Sequence, residues 1–383
     1  MKKLNGTVLT ALAMCAIVAF SGCSKKDTSG TSANAASSAE KSLNIAIVTS
    51  PSGVDDGNFN ENNYNGILDF IKEHPTSKVK AIREETGDTA ACAQVVQDIV
   101  ADYDVIVACG FQFAGISSSA QDNPSKDFIL VDTYPSDAEG NTIVVDNIYA
   151  MQFKEQESAF CTGLAAALES ATKKVAVVNG IAYPSNVNYQ WGFESGVNYA
   201  NKKYGTNVQI VELASYAGVD VTGANVGGNY IGTFADPAKG KVVGQALIDK
   251  GVDMILVAAG GSGAGVFTAA KEAKNVKVFG CDADQFADGA NGDTNICLSS
   301  ALKIMGLNVH RQLNKVLDGS FKGENALLGA DSGSTGYVSS AEHCLLKADT
   351  VSKVNEAYEL LKNGTIVPAA NFNGLKPESF TGL

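Results

Sequence analysis

Short runs of β-branched residues alternate along the chain with longer, helical stretches. Strands separated by helix-length segments favour βαβ units, in which the strands lie parallel in one sheet. The first series of predicted strands covers residues 44–48, 79–82, 105–108, 128–131 and 143–145.

A second series of the same kind covers residues 174–178, 208–211, 254–257 and 276–279. Residues 153–168 lie between the two series and are predicted to form a helix that crosses from one lobe to the other. Two series predict an α/β chain with two Rossmann-like lobes, each built on a parallel sheet. We expect an N-terminal lobe of residues 42–150 and about 283–320, and a C-terminal lobe of residues 151–282 and about 321–383.

The chain begins with the features of an export signal. Lys2 and Lys3 precede an apolar run over residues 8–20, and Cys23 follows two small residues. The run is shorter than the ~20 residues that span a bilayer as a helix. The pattern predicts a signal peptide over residues 1–22, with cleavage and lipidation at Cys23. An ordinary secretory peptide with an incidental cysteine is the alternative.

The segment that follows Cys23 is rich in Ser, Ala, Thr and Lys and has no large apolar side chain as far as residue 41. Such a segment cannot bury enough surface to offset the entropy lost on ordering. Residues 23–41 are therefore predicted to be a flexible tether. It would hold a soluble body in the cell envelope, anchored to the membrane by lipid and outside the cytoplasm.

The formal net charge of −12, with no Lys/Arg-rich stripe, argues against nucleic-acid polymers, because phosphate backbones need positive charge to release counterions. The three histidines are far apart and the eight cysteines form no CxxC pair, so we predict neither a metal nor a cofactor. The cysteines are interpreted as small, buried apolar residues. Export to an oxidising compartment would also allow one disulfide to form.

In an open α/β sheet the ligand sits beyond the carboxyl ends of the strands. A glycine-containing loop after the first predicted strand carries Asp56, Phe59 and Asn60. The two polar side chains can hydrogen-bond a ligand and the ring offers a flat face. The alternative is structural: Asn58 or Asn60 caps the next helix, and Phe59 packs into the core.

Four aromatic residues lie in the loop and helix after residues 174–178. Trp191 and Phe193 cannot face the same direction on a helix, so at least one of Tyr183, Tyr189 and Trp191 is expected to face the cleft. One ring from each lobe would enclose a planar base, and base–aromatic stacking contributes about 1–3 kcal/mol. A cap that shields the core from solvent is the alternative.

A glycine-rich turn with Gly260 and Gly261 follows residues 254–257, and Asp282 ends the next predicted strand. The spacing is similar to that of a dinucleotide fold, but Val266 stands where the third glycine belongs. In a dinucleotide fold and in a binding protein alike, Asp282 can accept two hydrogen bonds from a ribose diol.

Residues 299–303 are predicted to open a further helix. Lys303, the last of them, has two interpretations. It contacts the ligand, or it pairs with Asp282 or Asp284.

Taken together and in order, these motifs resemble the basic membrane protein family of ABC-transporter lipoproteins, which includes purine nucleoside receptors. The resemblance spans about residues 43–320 and implies the type I periplasmic-binding-protein fold, with two lobes joined by a multi-strand hinge. It also implies an ABC permease as partner. The motifs are VDDGNFN at 54–60, FKEQESAF at 153–160, YQWGF at 189–193, GGSGAG at 260–265 and GCDADQ at 280–285.

The resemblance also implies site roles. Nucleoside-binding members stack the base between two aromatics, which match Phe59 and Tyr189. The residues that hold the ribose match Asp282 and Lys303, with backbone help from Gly260 and Gly261.

The base edge in those members is read by an asparagine that matches Asn60 and by an aspartate in the loop after the third strand. Gly115 stands where that acid is expected, so purine selectivity stays open. Asp56, Phe111 and Trp191 are further candidate ligand contacts.

The sequence therefore predicts an exported, lipid-anchored, monomeric binding protein that delivers a nucleoside to an ABC importer and is not an enzyme. One rival is a binding protein of the same fold for a sugar or signalling molecule. A second is an exported nucleoside-processing enzyme, and a third is a surface antigen or sensor partner with vestigial binding.

Overall fold

The structure is a computed structural model that describes residues 41–383. The predicted signal peptide, the predicted lipidation site Cys23 and nearly all of the predicted tether lie outside these residues. The six cysteines within them are all free thiols.

The strands follow the two predicted series, with short additional ribbons. In chain order they are β1 Asn44–Thr49, β2 Lys78–Arg83, β3 Val105–Cys109, β4 Asp127–Val131, β5 Ile148–Phe153, β6 Lys174–Asn179, β7 Gln209–Ile210, β8 Gly218–Val219, β9 Asn225–Gly227, β10 Met254–Ala258, β11 Lys277–Asp282, β12 Ala290–Asn291, β13 Thr294–Asn295, β14 Cys297–Lys303, β15 Glu324–Leu328 and β16 Thr335–Tyr337.

Helices fill most of the segments between the strands. In chain order they are α1 Phe59–Glu73, α2 Thr89–Ile99, α3 Ser117–Gln121, α4 Glu155–Glu169, α5 Pro184–Tyr204, α6 Pro237–Asp249, α7 Gly263–Glu272, α8 Met305–Asp318 and α9 Ala348–Lys362.

The first sheet has the order β15-β5-β4-β3-β1-β2, and all its neighbours pair in parallel. Its inner strands are buried on both faces, as alternate residues of β1 illustrate: Ile45 and Ile47 enter one apolar cluster, and Ala46 and Val48 enter another. Helices α1 and α8 cover one face, and α2 and α3 cover the other. We call this sheet with its helices the first lobe.

The second sheet has the order β16-β14-β11-β10-β6-β7 and is parallel except for β16, which pairs antiparallel with β14. Helices α4, α5 and α9 cover one face, and α6 and α7 cover the other. This sheet and its helices form the second lobe. Two lobes with mainly parallel sheets confirm the predicted fold class.

The chain crosses between the lobes three times: from β5 to α4, from β14 to α8, and from β15 to β16. The lobe boundaries therefore differ from the expected ones. β14 belongs to the second sheet, so the chain returns to the first lobe after Lys303 rather than near residue 283. β15 belongs to the first sheet, so the chain leaves that lobe again after Leu328 rather than near residue 321.

Two predicted elements are wrong. Residues 143–145 form no strand, and β5 begins at Ile148 instead; Val144 is 63% exposed, which an inner strand of a doubly covered sheet does not allow. Residues 299–303 continue strand β14 and open no helix, because pairing with β11 and β16 outweighs the weak strand propensity of Ser and Ala.

Candidate ligand-binding site

A cleft lies between the two lobes at the carboxyl ends of their strands. It holds roughly 1000 Å³ of empty space, part of it open to solvent. Strand ends of both sheets reach it, because parallel strands bring their carboxyl ends to one edge. The first lobe contributes Ser50, Asp56, Phe59, Asn60, Cys109, Phe111, Gln112 and Asp132, and the second Tyr183, Ser185, Asn186, Tyr189, Phe234, Gly260, Cys281, Asp282 and Lys303, among others.

Most of the predicted ligand contacts line this cleft. They are Asp56, Phe59, Asn60, Phe111, Tyr189, Gly260, Asp282 and Lys303. Two predicted contacts, Trp191 and Gly261, are absent from the lining.

Trp191 was predicted on the wrong face of α5. It follows Tyr189 by two residues, which turns it by about 200° around the helix axis. Its ring packs instead against Val187 and Tyr230. Gly261 lies beside the backbone of Phe234, whose carbonyl oxygen a side chain at Gly261 would approach to 3.1 Å.

Lys303 ends β14 and is the centre of a buried charge cluster. Its Nζ donates to both carboxylate oxygens of Asp132, at 2.9 and 2.7 Å, across the two lobes. It also lies 3.4 Å from Oδ1 of Asp282 and 3.6 Å from Oε1 of Glu155. Burial lowers the pKa of Lys303, but the three carboxylates, led by Asp132, outweigh burial and raise it. The ammonium is therefore charged.

Of the two carboxylates predicted as alternative partners of Lys303, one lies near it. Asp282 is near it, whereas Asp284 contacts His343 on the outside of the second lobe.

Asp282 offers a free acceptor to a ligand. The hydroxyl of Tyr189 donates to its Oδ1 at 2.7 Å, and Lys303 approaches the same oxygen. Among residues 41–383, Oδ2 receives no hydrogen bond. Asp282 also has a left-handed backbone, with φ of 63°, a conformation that few non-glycine residues adopt.

Asp56 begins α1 by capping it. Its carboxylate accepts hydrogen bonds from the backbone N–H groups of Asn58, Asn60 and Glu61, each at 3.0 Å. The predicted alternative, a cap by the side chain of Asn58 or Asn60, is therefore wrong. Burial raises the pKa of Asp56, and these backbone hydrogen bonds oppose the rise.

Asn60 presents an acceptor because its amide nitrogen is already in use. Nδ2 donates to Oδ2 of Asp56 at 3.0 Å and to the hydroxyl of Ser50 at 3.3 Å. Oδ1 is buried and, within the described part of the chain, has no hydrogen-bond partner. A buried acceptor of this kind favours a ligand that brings an N–H or O–H group.

Aromatic rings enter the cleft from both lobes. Phe59 comes from the first lobe, and the Nζ of Lys303 lies 5.0 Å from its ring centroid. Phe234, in the loop before α6, lies against Gly180, where any side chain would overlap its ring. Near the cleft opening, Phe111 and Tyr183 face each other across the lobes with 5.1 Å between ring centroids.

Three site residues were missed by the sequence analysis. Asp132 directly follows β4, so the strand-end rule that found Asp282 could have found it. Glu155 was noted only as part of a motif. Phe234 follows no strand of the main sheet, and therefore gave no such signal.

The loop after β3 differs from the expectation. Gly115, the position expected to match an aspartate, is exposed and does not line the cleft. The polar side chain that this loop brings to the cleft is Gln112.

Comparison with known proteins decides the family. A family model described as ABC transporter substrate-binding protein PnrA-like matches residues 43–225 and 214–370, which together cover most of the chain. The chain belongs to this PnrA-like family. The predicted relationship to the basic membrane proteins is confirmed, since relatives of that name match as well.

Two relatives of the PnrA-like protein match nearly end to end. An ABC transporter nucleoside-binding protein, BmpA, from Lactococcus lactis subsp. cremoris is 27% identical over 375 residues, which are 91% of this chain and 96% of the relative. A CD4+ T-cell-stimulating antigen from Listeria monocytogenes is 28% identical over 342 residues, 85% of this chain and 88% of the relative.

A solved structure supports the fold. The crystal structure of an ABC transporter solute-binding protein from Aeropyrum pernix K1 superposes with a TM-score of 0.71 and 23% identity. The match covers 86% of this chain and 94% of that one.

As a member of the PnrA-like family, the protein is an extracytoplasmic binding protein that receives a small molecule and works with an ABC permease. Its family is one of binding proteins and not of enzymes. Between residues 41 and 383, no helix is both long and apolar enough to cross a bilayer.

Proposed function

We propose that this PnrA-like protein binds a nucleoside in the interlobe cleft and delivers it to its permease. The observation that carries the proposal is the combination of aromatic rings from both lobes with a carboxylate and an ammonium at one end of the same cleft. A base needs flat faces, and a ribose diol needs paired charged or polar groups.

Phe59 and Phe234 are the rings proposed to enclose the base. The resemblance points to Tyr189 as the second ring, but Tyr189 is only 2% exposed and its hydroxyl is held by Asp282. A ring so deeply buried has little free face for stacking. Phe234 is half-buried and lines the cleft, with Gly180 and Gly260 against it and the centroid of the Tyr183 ring 6.0 Å from its own.

Asp282 and Lys303 are proposed to hold the ribose. The free Oδ2 of Asp282 can accept a hydroxyl hydrogen bond, and charged acceptors make stronger hydrogen bonds than neutral ones. Lys303 lies 3.4 Å from the other carboxylate oxygen, Oδ1, and places a positive charge beside it. Tyr189 then supports the site from beneath, and its hydrogen bond fixes the orientation of the Asp282 carboxylate.

The base edge is proposed to meet Asn60 and Gln112. Oδ1 of Asn60 accepts a hydrogen bond from a base N–H, whereas Gln112 has both a donor and an acceptor. No carboxylate matches the acid that purine-binding relatives are expected to carry in the loop after β3, so the proposal extends to nucleosides in general. The printed name of the Lactococcus relative supports it.

We also propose that Cys23 carries a lipid anchor. The export pattern supports this, and the residue lies outside residues 41–383. If the proposal holds, a Cys23→Ser variant is found in the medium or in the soluble fraction instead of the membrane fraction. Unchanged membrane association would contradict it.

Mass spectrometry of small molecules released from the freshly purified protein tests the proposal. We expect a nucleoside, because a cleft that closes around its ligand releases it slowly. Recovery of a sugar, or of no ligand together with no thermal stabilisation by nucleosides, would contradict the proposal. Turnover of an added nucleoside would favour the rival enzyme.

A further inference from the structure

Three carboxylates share one ammonium at the hinge between the lobes. Asp132, Glu155 and Asp282 surround Lys303, so full ionisation would leave two surplus negative charges in a buried site. Glu155 is 2% exposed, Asp132 is 8% and Asp282 is 9%. Surplus charge of this kind is strongly unfavourable away from water, and protonation of one acid relieves it.

The contacts indicate which acid takes the proton. Asp132 receives two hydrogen bonds from Lys303, and Asp282 receives one from Tyr189. Glu155 has the weakest support for a charge: the amide of Asn188 donates to its Oε2 at 3.0 Å, and Lys303 lies beyond hydrogen-bond distance at 3.6 Å.

We propose that Glu155 is a positioning residue that carries a proton when the ligand is bound. When Glu155 is neutral, Lys303 stays paired with Asp132 and can also interact with the ligand in the cleft. As an anion it competes for Lys303 and loosens the bridge between the lobes. For its binding consequences, this inference rests on the proposed nucleoside site.

The surroundings of Glu155 agree with this. Burial raises its pKa to about 8, the charge of Lys303 opposes the rise, and the charge of Asp132 adds to it. Besides these two groups, the titratable groups that face it from the neighbouring elements are Tyr134, Tyr189, Cys281 and Asp282. The other cation close to this crossover, Lys154, is directed to Glu157 and Asp331.

A second cavity gives Glu155 its own route to solvent. It holds roughly 520 Å³ of empty space, part of it open to solvent, on the side of the hinge where the C-terminal segment packs. Its lining includes Asp132, Gln152, Glu155, Asn188 and Asn371. A proton can therefore reach Glu155 through this cavity while a ligand fills the cleft.

The sign of the pH dependence follows from burial. Ligand binding removes water from Asp132, Asp282 and Lys303, which line the cleft. The net negative charge of these three groups then acts more strongly on Glu155, so the pKa of Glu155 is higher in the bound state than in the free state. Affinity is then constant below the free-state pKa of about 8 and falls above it, by at most tenfold for each pH unit.

Calorimetric titration with adenosine between about pH 6.5 and 9 tests this. Adenosine is the probe because its base does not exchange a proton in this range. We expect the affinity of the wild-type protein to fall above about pH 8, and that of Glu155→Gln to be independent of pH. Asn188→Ala removes a hydrogen bond that favours the anion, so the fall should begin at a higher pH.

Two results would overturn the inference: wild-type affinity that does not change with pH, or a pH dependence that persists in Glu155→Gln. An infrared difference spectrum of the ligand-free proteins tests the protonation state of Glu155 independently of ligand binding. At neutral pH, wild type minus Glu155→Gln should show the carbonyl band of a protonated carboxyl. Failure of adenosine to bind at any pH would exclude this purine nucleoside as a ligand without excluding other nucleosides. The spectrum still decides whether Glu155 is protonated, and absence of the band refutes the inference.

Discussion

Asp132 and Asp282 occupy matching places in the two lobes. Asp132 directly follows β4 of the first sheet and Asp282 ends β11 of the second, and both have left-handed backbones, with φ of 69° and 63°. Both approach Lys303. At the residue scale, the site is therefore a pair of aspartates, one from each lobe, joined by one lysine.

Replacement of Asp282 by alanine should weaken nucleoside binding by about 1.5–3 kcal/mol, because a charged acceptor is lost and the hydroxyl of Tyr189 loses its partner. Calorimetry measures the change. The matched control is Asp284→Ala, two residues along, whose carboxylate contacts His343 outside the cleft. Wild-type affinity in Asp282→Ala would remove Asp282 from the site.

The choice of stacking ring is also testable. Phe234→Ala should weaken binding of a nucleoside by about 1–3 kcal/mol and leave binding of free ribose unchanged. Trp191→Phe should leave affinity for both unchanged, because Trp191 packs outside the cleft. The opposite pattern, a loss only in the Trp191 variant, would restore the sequence-based candidate.

Sequence reasoning found the site residues that follow strands or occur in recognised motifs. Asp282 was found because it ends a clear apolar run, and Phe59 because it directly follows the glycine-containing loop after β1. Phe234 was missed because its position depends on contact with Gly180, which is far away in sequence. The face of α5 could not be chosen because that helix is buried on most sides, so its pattern of apolar residues has no clear direction.

At the scale of elements, close helix pairs support the lobes. Helices α1 and α8 meet where Gly66 approaches the backbone of Gly306, and α4 and α5 meet where Gly163 approaches the carbonyl of Phe193. One helix of each pair, α8 or α4, begins at a hinge crossing. Helix positions at these contacts therefore determine where Glu155 and Lys303 lie.

Gly66→Ala should lower the free energy of unfolding by about 1–3 kcal/mol, because the added methyl group would overlap the carbonyl of Gly306. Urea denaturation measures this. Gly115→Ala is the control, since the nearest atom to its added methyl group is 4.0 Å away. If the two variants have the same free energy of unfolding, α1 and α8 can move apart without a loss of stability.

Elements were predictable where the local pattern and the tertiary structure agree. The strands β1, β3, β6 and β10 are continuous apolar runs that the two-sided burial of a parallel sheet requires. β14 was missed because Ser and Ala have weak strand propensity, whereas the pairing with β11 and β16 that makes residues 299–303 a strand depends on segments distant in sequence.

At the scale of the whole molecule, the described conformation has its lobes in contact across the cleft opening. Phe111 faces Tyr183, and the hydroxyl of Ser52 donates to the carbonyl of Phe234 at 3.4 Å. Lys303 joins the lobes at the hinge. These contacts are expected in the closed state, which a hinged binding protein reaches by rotating one lobe against the other.

Phe111→Ala should accelerate ligand dissociation roughly two- to tenfold, since an aromatic pair contributes about 0.5–1.5 kcal/mol. Association should change little, because the contact forms only as the lobes close. Stopped-flow kinetics separate the two rates. A slower association with unchanged dissociation would mean that Phe111 acts in the open state instead.

The central claim is that the cleft recognises a base and a ribose together. Calorimetric titration of the wild-type protein with a nucleoside, its free base and free ribose tests this directly. We expect at least one nucleoside to bind more tightly than either fragment by a factor of about a hundred or more, because stacking and the charged hydrogen bonds act on one molecule. Ribose or another sugar that binds as tightly as every nucleoside tested would contradict the account.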